Sequence, residues 1–582
     1  MILEEITINN FCSCKQLTVK LTDFNPIIGY NNSGKSNILR AISWLLKKSV
    51  LSEHLFFDSQ SPVTVEGKIS SVNINLLPPN QQSQINRFIS NGSLTFRRRQ
   101  DEPSCSATQI RIDVKDPMTG DWAVNPTGLD NAIAALFPEP LYIQAMDDSA
   151  DDISKFAAKN TLGLLLKLIF ESIKTNNQAA HQSLLSSLAN LDTLLNGPAR
   201  LPEFSQFEYQ ASQEVSNFYS GINIHLDINP PNYDEILKNS TLSLSDATGV
   251  KRPFSSYGHG AQRTTQMALI KMLATTSSAS PLPGLTKVLL IDEPETFLHP
   301  QAIESLRDAL KILSNSGFQV IITTHSPLMI DHQQVLNTLM VFKNAVGETE
   351  VRNKLSNAIQ TLSANPHQAN IIFSIQTSTH LLFSEHVVLV EGKTETMMIP
   401  DLYKVVKGNT LPSDKYCHVE CQGSPSIYPM MNVLRAVGYA PKAIADLDYI
   451  FKIAPGLGLV SRSDPDWVTC FNWFATNTSP QSFYLGTDGL PSRRNSTGLF
   501  STILPEEAFE QMASHMQVPI ANLVSQMRNH DIWIWDKGAI EASLGIAKNH
   551  NARIAFLNTL RSNNNINHAN SPNDIANCIH WF

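Results

Sequence analysis

Four carboxylates in the C-terminal half are spaced so that they can gather at the ends of two strands. Glu391 and Glu395 lie on His386-Val387-Val388-Leu389-Val390-Glu391-Gly392-Lys393-Thr394-Glu395, an apolar run that breaks at a Glu-Gly pair and passes into the helical pattern Met397, Met398, Ile399 and Leu402. Glu391 is then expected at a strand tip and Glu395 one turn into a helix, on a common side. About 55 residues later, Lys442-Ala443-Ile444-Ala445 leads into Asp446-Leu447-Asp448, and alternation along an extended chain points both aspartates to one face. So much negative charge in one place is costly without a cation. Mg2+ or Mn2+ is the expected compensation, and two such ions can activate a water and steady the leaving oxygen in phosphodiester cleavage. Glu-Gly pairs and Asp-x-Asp triplets are common in loops, so the weight rests on their order, strand context and separation.

The N-terminal half carries a different chemistry. Phe24-Asn25-Pro26-Ile27-Ile28 runs into Gly29-Tyr30-Asn31-Asn32-Ser33-Gly34-Lys35-Ser36 and then into Ile38, Leu39, Ile42, Leu45 and Leu46 at helical spacing. This is strand, phosphate loop, helix. Backbone N–H groups around Asn32 and Gly34 can curl about phosphate oxygens, Lys35 can reach the β- and γ-phosphates of ATP, and the Ser36 hydroxyl can ligate Mg2+. Lys287-Val288-Leu289-Leu290-Ile291-Asp292-Glu293 places two more carboxylates at a strand end, Asp292 suited to the magnesium shell and Glu293 to polarising the attacking water. The next strand, Phe318 to Thr324, ends in His325, which can touch a γ-phosphate and report its loss.

The elements that must position these residues suggest an α/β chain of more than one domain. At 582 residues it exceeds the size at which a single core keeps growing. Hydrophobic residues make up 42% and charged residues 16%, and no stretch approaches the ~20 apolar residues of a membrane span. The start Met1-Ile2-Leu3-Glu4-Glu5-Ile6 reads as a strand and not as a secretory signal, so a cytoplasmic location is expected. Seven scattered cysteines argue for reduced thiols, including Cys12, Cys14, Cys417 and Cys421. A net charge of -8 discourages non-specific attraction to polyphosphate without excluding a local basic groove or metal ions. Leucines at helical spacing, Leu162, Leu165, Leu166 and Ile169, then Leu185, Leu188, Leu191 and Leu194, suggest a helical hairpin inserted at about 150–240. Phe451 to Ser501 is rich in Pro, Gly, Ser, Asp and Trp and reads as loops over the C-terminal site. Trp467, Phe471 and Trp473 there can stack on unpaired bases or simply pack a core. Arg97-Arg98-Arg99 can contact phosphate or lie on a solvated sheet edge.

One segment makes the resemblance specific. Ser255-Ser256-Tyr257-Gly258-His259-Gly260-Ala261-Gln262-Arg263 has the form Ser-x-Gly-x-Gly-x-Gln-Arg and lies between the phosphate loop and Ile291-Asp292-Glu293-Pro294-Glu295 with Leu298-His299-Pro300. This order resembles the ABC-type ATPases of the SMC, RecF and OLD (overcoming lysogenization defect) group, and the Glu391 and Asp446 segments resemble a Toprim domain. The resemblance implies an ABC-type ATPase domain over 1–345 with an inserted helical dimerisation hairpin, a connector over 346–382, and a Toprim α/β domain over 383–582. It implies that Ser256 and Gly258 contact the nucleotide of a second copy, in a homodimer or higher homo-oligomer. Asp531-Ile532-Trp533-Ile534-Trp535-Asp536-Lys537-Gly538-Ala539-Ile540-Glu541 resembles the closing segment of OLD-type Toprim domains, which would give Lys537 a role in steadying phosphate charge and Glu541 a role in holding metal.

The implied function is an ATP-regulated, metal-dependent nuclease that cleaves nucleic-acid phosphodiester bonds, with DNA the expected substrate, and with a role in anti-phage defence like that of Gabija and some retron effectors. A partner protein or RNA of such a system is then expected, and no membrane. The competing reading is an ATP-driven DNA clamp or repair scaffold of the RecF and SMC type with a non-cleaving Toprim domain. A topoisomerase or primase would need a cleavage tyrosine in a partner domain or a zinc module, and the sequence offers neither.

Overall fold

Alternation of apolar and polar residues over the first 115 positions builds a layer that is buried on one face. β1 (Ile2–Phe11), β2 (Cys14–Lys20), β4 (Val63–Ser70), β5 (Leu94–Gln100), β6 (Arg111–Lys115) and β7 (Trp122–Ala123) form an antiparallel sheet in the order β2-β1-β4-β5-β6-β7. Inward residues such as Ile6, Ile8, Val63, Val65, Leu94 and Phe96 are wholly buried. The helix Lys35–Leu46 covers this sheet with Ile38, Leu39, Ile42 and Leu45. A second sheet holds β3 (Phe24–Ile28), β8 (Leu141–Ile143), β9 (Lys287–Asp292) and β10 (Phe318–Thr324), running β3-β10-β9-β8, with β8, β9 and β10 parallel. The helices His259–Ala279 and Pro300–Ser314 pack on it through Met267, Ile270, Leu306 and Leu310. Buried Gln319 joins the sheets: its Oε1 accepts from Leu3 N at 2.9 Å and its Nε2 donates to Leu3 O at 2.8 Å.

The C-terminal unit is a four-stranded parallel sheet, β12-β11-β13-β14, from β11 (His386–Val390), β12 (Tyr416–Glu420), β13 (Lys442–Ala445) and β14 (Ile532–Ile534). Its inner strands β11 and β13 and the neighbouring β14 are largely apolar because helices cover the sheet, whereas the edge strand β12 alternates buried and half-buried residues. Val388, Val390, Ile444 and Trp533 share one core with Met398, Ile399 and Leu402 of the helix Lys393–Lys407 and with Ile575 and Ile579 of the helix Pro572–Trp581.

This computed structural model describes residues 1–137, 140–145, 178–216, 221–229, 242–245, 249–279, 287–330, 337–352, 383–479, 482–494 and 500–582, together with Leu166, Glu235, Gln334 and Leu381. Two compact units divide the chain: Met1–Ile27, Gly34–Gln334 and Lys343–Glu350 form one, and Ile28–Ser33, Val335–Phe342 and Val351–Phe582 the other. Most of the expected connector, and Leu162, Leu165 and Ile169 of the expected hairpin, lie outside the described residues. The described residues of the hairpin region include the helices Gln178–Leu195 and Pro202–Ser216, and Leu184, Leu185, Leu191 and Leu194 of the first are exposed.

Three expectations are corrected. Arg98 lies on an interior strand and is 1% exposed, donating to Leu45 O and Asp130, while Arg97 pairs with Asp113 and Arg99 with Asp101. Arg98 is therefore spent inside the fold, and partly exposed Arg97 and Arg99 are each paired with an aspartate on a strand that is not a sheet edge. The described part of residues 451–501 is not loops alone: the helix Pro465–Asn477 carries Trp467, Cys470, Trp473 and Phe474 into an aromatic core with Phe451, Phe483 and Phe509. Trp467 stacks on Phe471 at 4.8 Å, so these rings pack against one another. Asp448 does not continue the extended chain of Asp446, because β13 stops at Ala445 and Asp448 opens the short helix Asp448–Lys452.

Candidate nucleotide and nuclease sites

The first site forms at the ends of two parallel strands. Asp292 of β9 sits opposite Thr323 of β10. Asp292 Oδ1 accepts from Ser36 Oγ at 3.0 Å and from Thr323 Oγ1, so the phosphate-loop serine and the acidic strand are joined before any nucleotide is considered. The backbone enters the helix Lys35–Leu46 through Gly34, whose φ of 104° suits glycine, and a Cβ there would strike Thr349. Asn32 is also left-handed, at φ 65°. Lys35 is buried, which lowers its pKa to about 8 against the pull of Glu293, Asp292 and Glu295.

Glu293 holds a left-handed backbone at φ 47°, a conformation that costs an ordinary residue about 1 kcal/mol or more. Its carboxylate Oε1 lies 3.2 Å from His325 Nε2, and that hydrogen bond is the largest reason its pKa falls below the ordinary glutamate value. Three residues absent from the sequence-based site set hold this corner. Glu295 Oε1 accepts from Thr324 Oγ1 at 2.8 Å, His325 N at 2.6 Å and Ser326 N at 3.2 Å, fixing the loop that carries the histidine. Arg263 Nη2 donates to Asp292 O at 2.6 Å and Glu293 O at 3.0 Å. Thr323 is the third. The Arg263 and Glu295 contacts had a visible cue, since both residues stand inside the quoted motifs. Ser256 and Gly258 are exposed just ahead of the signature helix His259–Ala279, with Ser256 Oγ donating to Pro253 O.

The second site lies at the carboxyl ends of β11 and β13. Val390 pairs with Ile444, so Glu391 and Asp446 emerge side by side, and Asp446 N donates to Glu391 Oε2 at 3.2 Å. Glu395 is buried in the first turn of Lys393–Lys407, where burial, then Glu541 and Glu391, push its pKa to about 7. Burial raises Asp446 well above the aspartate range, helped by Glu395, Glu391 and Asp448. Glu391 is raised by burial and then by Asp448. Glu541, on the helix Ile540–Leu544, is 5% exposed, and its Oε1 accepts from Thr394 Oγ1 at 2.7 Å and Arg553 Nη2 at 3.2 Å. The five expected acids are thus brought into one electrostatic neighbourhood.

Among the described residues, however, no three of their oxygens close on a point in the manner of a finished metal centre. Asp446 Oδ1 and Asp448 Oδ1 are cut off from solvent with no hydrogen-bond partner, in a set of donors that are all carboxylate oxygens. Orphaned, buried, hard oxygen donors fit Mg2+ or Mn2+.

The expected lysine is not among the contacts of this cluster. Lys537 Nζ donates to Ser571 Oγ, and the side chain lines a recess of about 510 Å³ with Asp536, Glu510 and Gln517. The turn itself is close: Leu447 N, between the two aspartates, donates to Gly538 O at 2.7 Å. The lysine in contact with these acids is Lys452, whose Nζ donates to Asp448 Oδ2 at 2.9 Å. At Lys548 burial opposes the charge, but Asp446, Glu541, Glu506 and Glu395 outweigh it and raise the ammonium above the ordinary lysine value. Cys417 and Cys421 are buried thiols whose pKa is raised chiefly by burial, as expected of structural cysteines.

A phosphate-loop ATPase unit joined to a parallel-stranded unit with acids at its strand ends is the class these two sites define. Comparison with known families agrees. An AAA ATPase domain model matches residues 1–87, an AAA domain model described for the AbiEii toxin of a Type IV TA system matches 145–331, and the Overcoming lysogenization defect protein-like TOPRIM domain matches 382–448. The Old nuclease of Escherichia phage P2 is 35% identical over 558 residues, covering 94% of this chain and 93% of that protein. The chain belongs to the OLD nuclease family and is a nuclease with an ATPase domain. Endonuclease GajA of Bacillus cereus (strain VD045) is a more distant relative, 20% identical over 68% of this chain and 67% of its own length. Among solved structures, an Smc head bound to the C-winged helix domain of ScpA overlaps 62% of this chain and 100% of its own at 17% identity and TM-score 0.36. The SMC head domain from Thermotoga maritima overlaps 60% of this chain and 98% of its own at 15% identity and TM-score 0.28.

Proposed function

We propose that this chain is a divalent-metal-dependent nuclease that cuts DNA under the control of ATP, as an effector of anti-phage defence. The observation that carries the cutting chemistry is the pair of solvent-excluded, unpartnered oxygens, Asp446 Oδ1 and Asp448 Oδ1, beside Glu391 and Glu395. Glu391, Glu395, Asp446, Asp448 and Glu541 would hold Mg2+ or Mn2+, which when bound supplies water activation and stabilises the leaving oxygen. Glu395 and Glu541 form the buried side of this set, and Glu391, Asp446 and Asp448 its half-buried side toward the strand to be cut. At the phosphate loop and the strand ends beside it, Asn32, Gly34 and Lys35 would hold the phosphates of ATP, Ser36 and Asp292 would hold its magnesium, and Glu293 with His325 would orient the attacking water. Exposed Ser256 and Gly258 suit contact with the nucleotide of a second copy in a homo-oligomer, through which ATP acts on head geometry and not on the phosphodiester itself. DNA as substrate and a defence role are supported by the kinship with the phage P2 Old nuclease and endonuclease GajA.

The test incubates purified protein with plasmid, linear duplex, single-stranded DNA and RNA, with Mg2+ or Mn2+, with and without ATP, beside Glu391→Ala and Lys35→Ala. Metal-dependent cutting that Glu391→Ala loses, and ATP hydrolysis that Lys35→Ala loses, are expected. Equal cutting by Glu391→Ala, or none by the native protein under any condition, removes the reading and favours the DNA-clamp alternative.

A further inference from the structure

Away from the acidic cluster, one projection of the C-terminal unit carries positive charge that the fold leaves unused. The short strands Tyr484–Leu485 and Pro491–Ser492 pair antiparallel, and the chain continues into Arg493 and Arg494. Arg494 faces Phe500 in an antiparallel bridge, Ser501 N donates to Arg493 O at 3.0 Å, and Ser492 Oγ donates to Arg494 O at 2.9 Å. The base of the projection is anchored: Phe483 and Leu490 are buried, Phe483 stacks on Trp473 at 6.2 Å, and Thr502 N and Ile503 N both donate to Ser482 O at 3.1 Å. Its outer end faces solvent, with both arginines exposed and Phe500 58% exposed.

The ring orders the arginines without using them up. Arg494 Cζ lies 4.3 Å from the centre of the Phe500 ring, and Arg493 Cζ 5.9 Å. A guanidinium resting its face on a ring keeps its N–H donors in its own plane, free for an anion. Other arginines of this unit are neutralised, Arg435 by Asp531, Arg553 by Glu541 and Arg561 by Asp401. Among the described residues no carboxylate pairs with Arg493 or Arg494. In a chain of net charge -8, two adjacent cations with ordered, unspent donors form a local positive point that a polyanion can find.

The projection is also within reach of the cutting site. Phe500 is followed by the helix Pro505–His515, and Glu510 of that helix packs on Gly538, where a Cβ would come within 2.6 Å of Glu510 Cγ. Gly538 O in turn accepts from Leu447 N, between the two aspartates. Five extended residues and five helical ones put Phe500 at most about 25 Å from Glu510. That span is about seven nucleotide steps along a duplex.

We propose that Arg493 and Arg494, ordered by Phe500, dock the sugar-phosphate backbone of the nucleic acid being cut, within about seven nucleotides of the scissile bond. The proposal rests on the nuclease reading above and places a contact outside the acidic cluster. An acidic peptide would match the charge alone, but continuity with a nuclease site selects the nucleic acid.

The test follows binding of a labelled DNA duplex, several turns long, to the full-length protein in EDTA as salt is raised. Loss of both phosphate contacts in Arg493→Ala with Arg494→Ala is expected to lower the salt slope by about two and to weaken binding about ten- to twentyfold. Phe500→Ala removes the stack and keeps the charge, so its slope stays native while affinity falls about two- to fivefold. Arg493→Lys with Arg494→Lys should do the same, and this pair and Phe500→Ala decide the matter if the alanine pair fails to fold. Arg561→Ala is the control for lost surface charge, because Nε and Nη2 of Arg561 are already taken by Asp401, and it should bind as the native protein does. A native slope in the alanine pair, unchanged affinity in both Phe500→Ala and the lysine pair, an equal change of slope in Arg561→Ala, or no measurable binding by the native protein at low salt would each overturn the proposal. Undiminished cutting by Glu391→Ala is a separate failure, since it removes the cleavage site, whereas an unmoved slope removes only the docking point.

Discussion

Asp446 illustrates how a residue can be costly to the fold and necessary to the chemistry. It is raised well above the aspartate range by burial and by Glu395, Glu391 and Asp448, and its Oδ1 has no partner. Replacing it with asparagine relieves repulsion while removing a ligand. Asp446→Asn is therefore expected to lower metal-dependent cutting at least ~100-fold and yet to melt higher than the native protein in EDTA, by about 2–4 °C per kcal/mol of relief. A lower melting point in EDTA would mean that the carboxylates are held by contacts other than the proposed cation. Glu395 gives the pH counterpart. Its pKa is about 7 in the fold against an ordinary 4.5, so the native state holds a proton that the unfolded state has released across that window. Stability of metal-free protein from this group thus falls as pH rises from about 4.5 to about 7, and the fall should vanish in Glu395→Gln. A melting series in EDTA checks this, and a slope unchanged by the substitution would assign the pH response elsewhere. The sequence carries the acids themselves plainly, since each follows an apolar strand. It does not reveal Arg553 or Thr394, because an arginine 12 residues beyond Glu541 has no local signature of facing it.

The elements that deliver these side chains divide into those governed by local pattern and those governed by tertiary packing. The phosphate-loop strand and helix, the acidic strand and the histidine strand all follow from apolar runs that end in polar residues. Parallel pairing then places Asp292 opposite Thr323, a register that no single segment contains. The same limit explains Asp448, where alternation predicts an extended chain but the chain turns into a helix after Ala445. It also explains residues 451–501, whose turn-forming composition hides a helix closed by an aromatic core. At this scale the loop after β10 offers a test. Three donors converge on Glu295 Oε1, including the backbone of His325. Glu295→Ala should release that loop, lowering kcat for ATP hydrolysis roughly 10- to 100-fold with little change in the KM for ATP, as expected when an orienting contact is lost and ground-state binding is kept. Glu295→Gln, which retains an acceptor, should recover part of the rate. A rise in KM alone would place Glu295 in nucleotide binding instead.

At the scale of the whole molecule, the helix Gln178–Leu195 leaves Leu184, Leu185, Leu191 and Leu194 between 39% and 43% exposed. Scattered exposed leucines are ordinary, but these recur along one helix, and the second helix of the same region adds exposed Phe207 and Tyr209. The proposed homo-oligomer provides a use for this surface as well as for the exposed signature residues Ser256 and Gly258. Completing the burial of a partly exposed leucine is worth on the order of 1 kcal/mol, so four from each of two copies make a contribution that charge would readily undo. Leu184→Glu with Leu191→Glu is accordingly expected to shift the protein from dimer to monomer in sedimentation velocity while leaving its melting point within a few degrees, because these side chains lie outside the folded core. If ATP hydrolysis needs two heads, the same variant should lose most of its ATPase rate at low protein concentration and regain it at high concentration. A variant that stays dimeric, with native ATPase at every concentration, would show that the copies meet through another surface and leave the leucine face without this role.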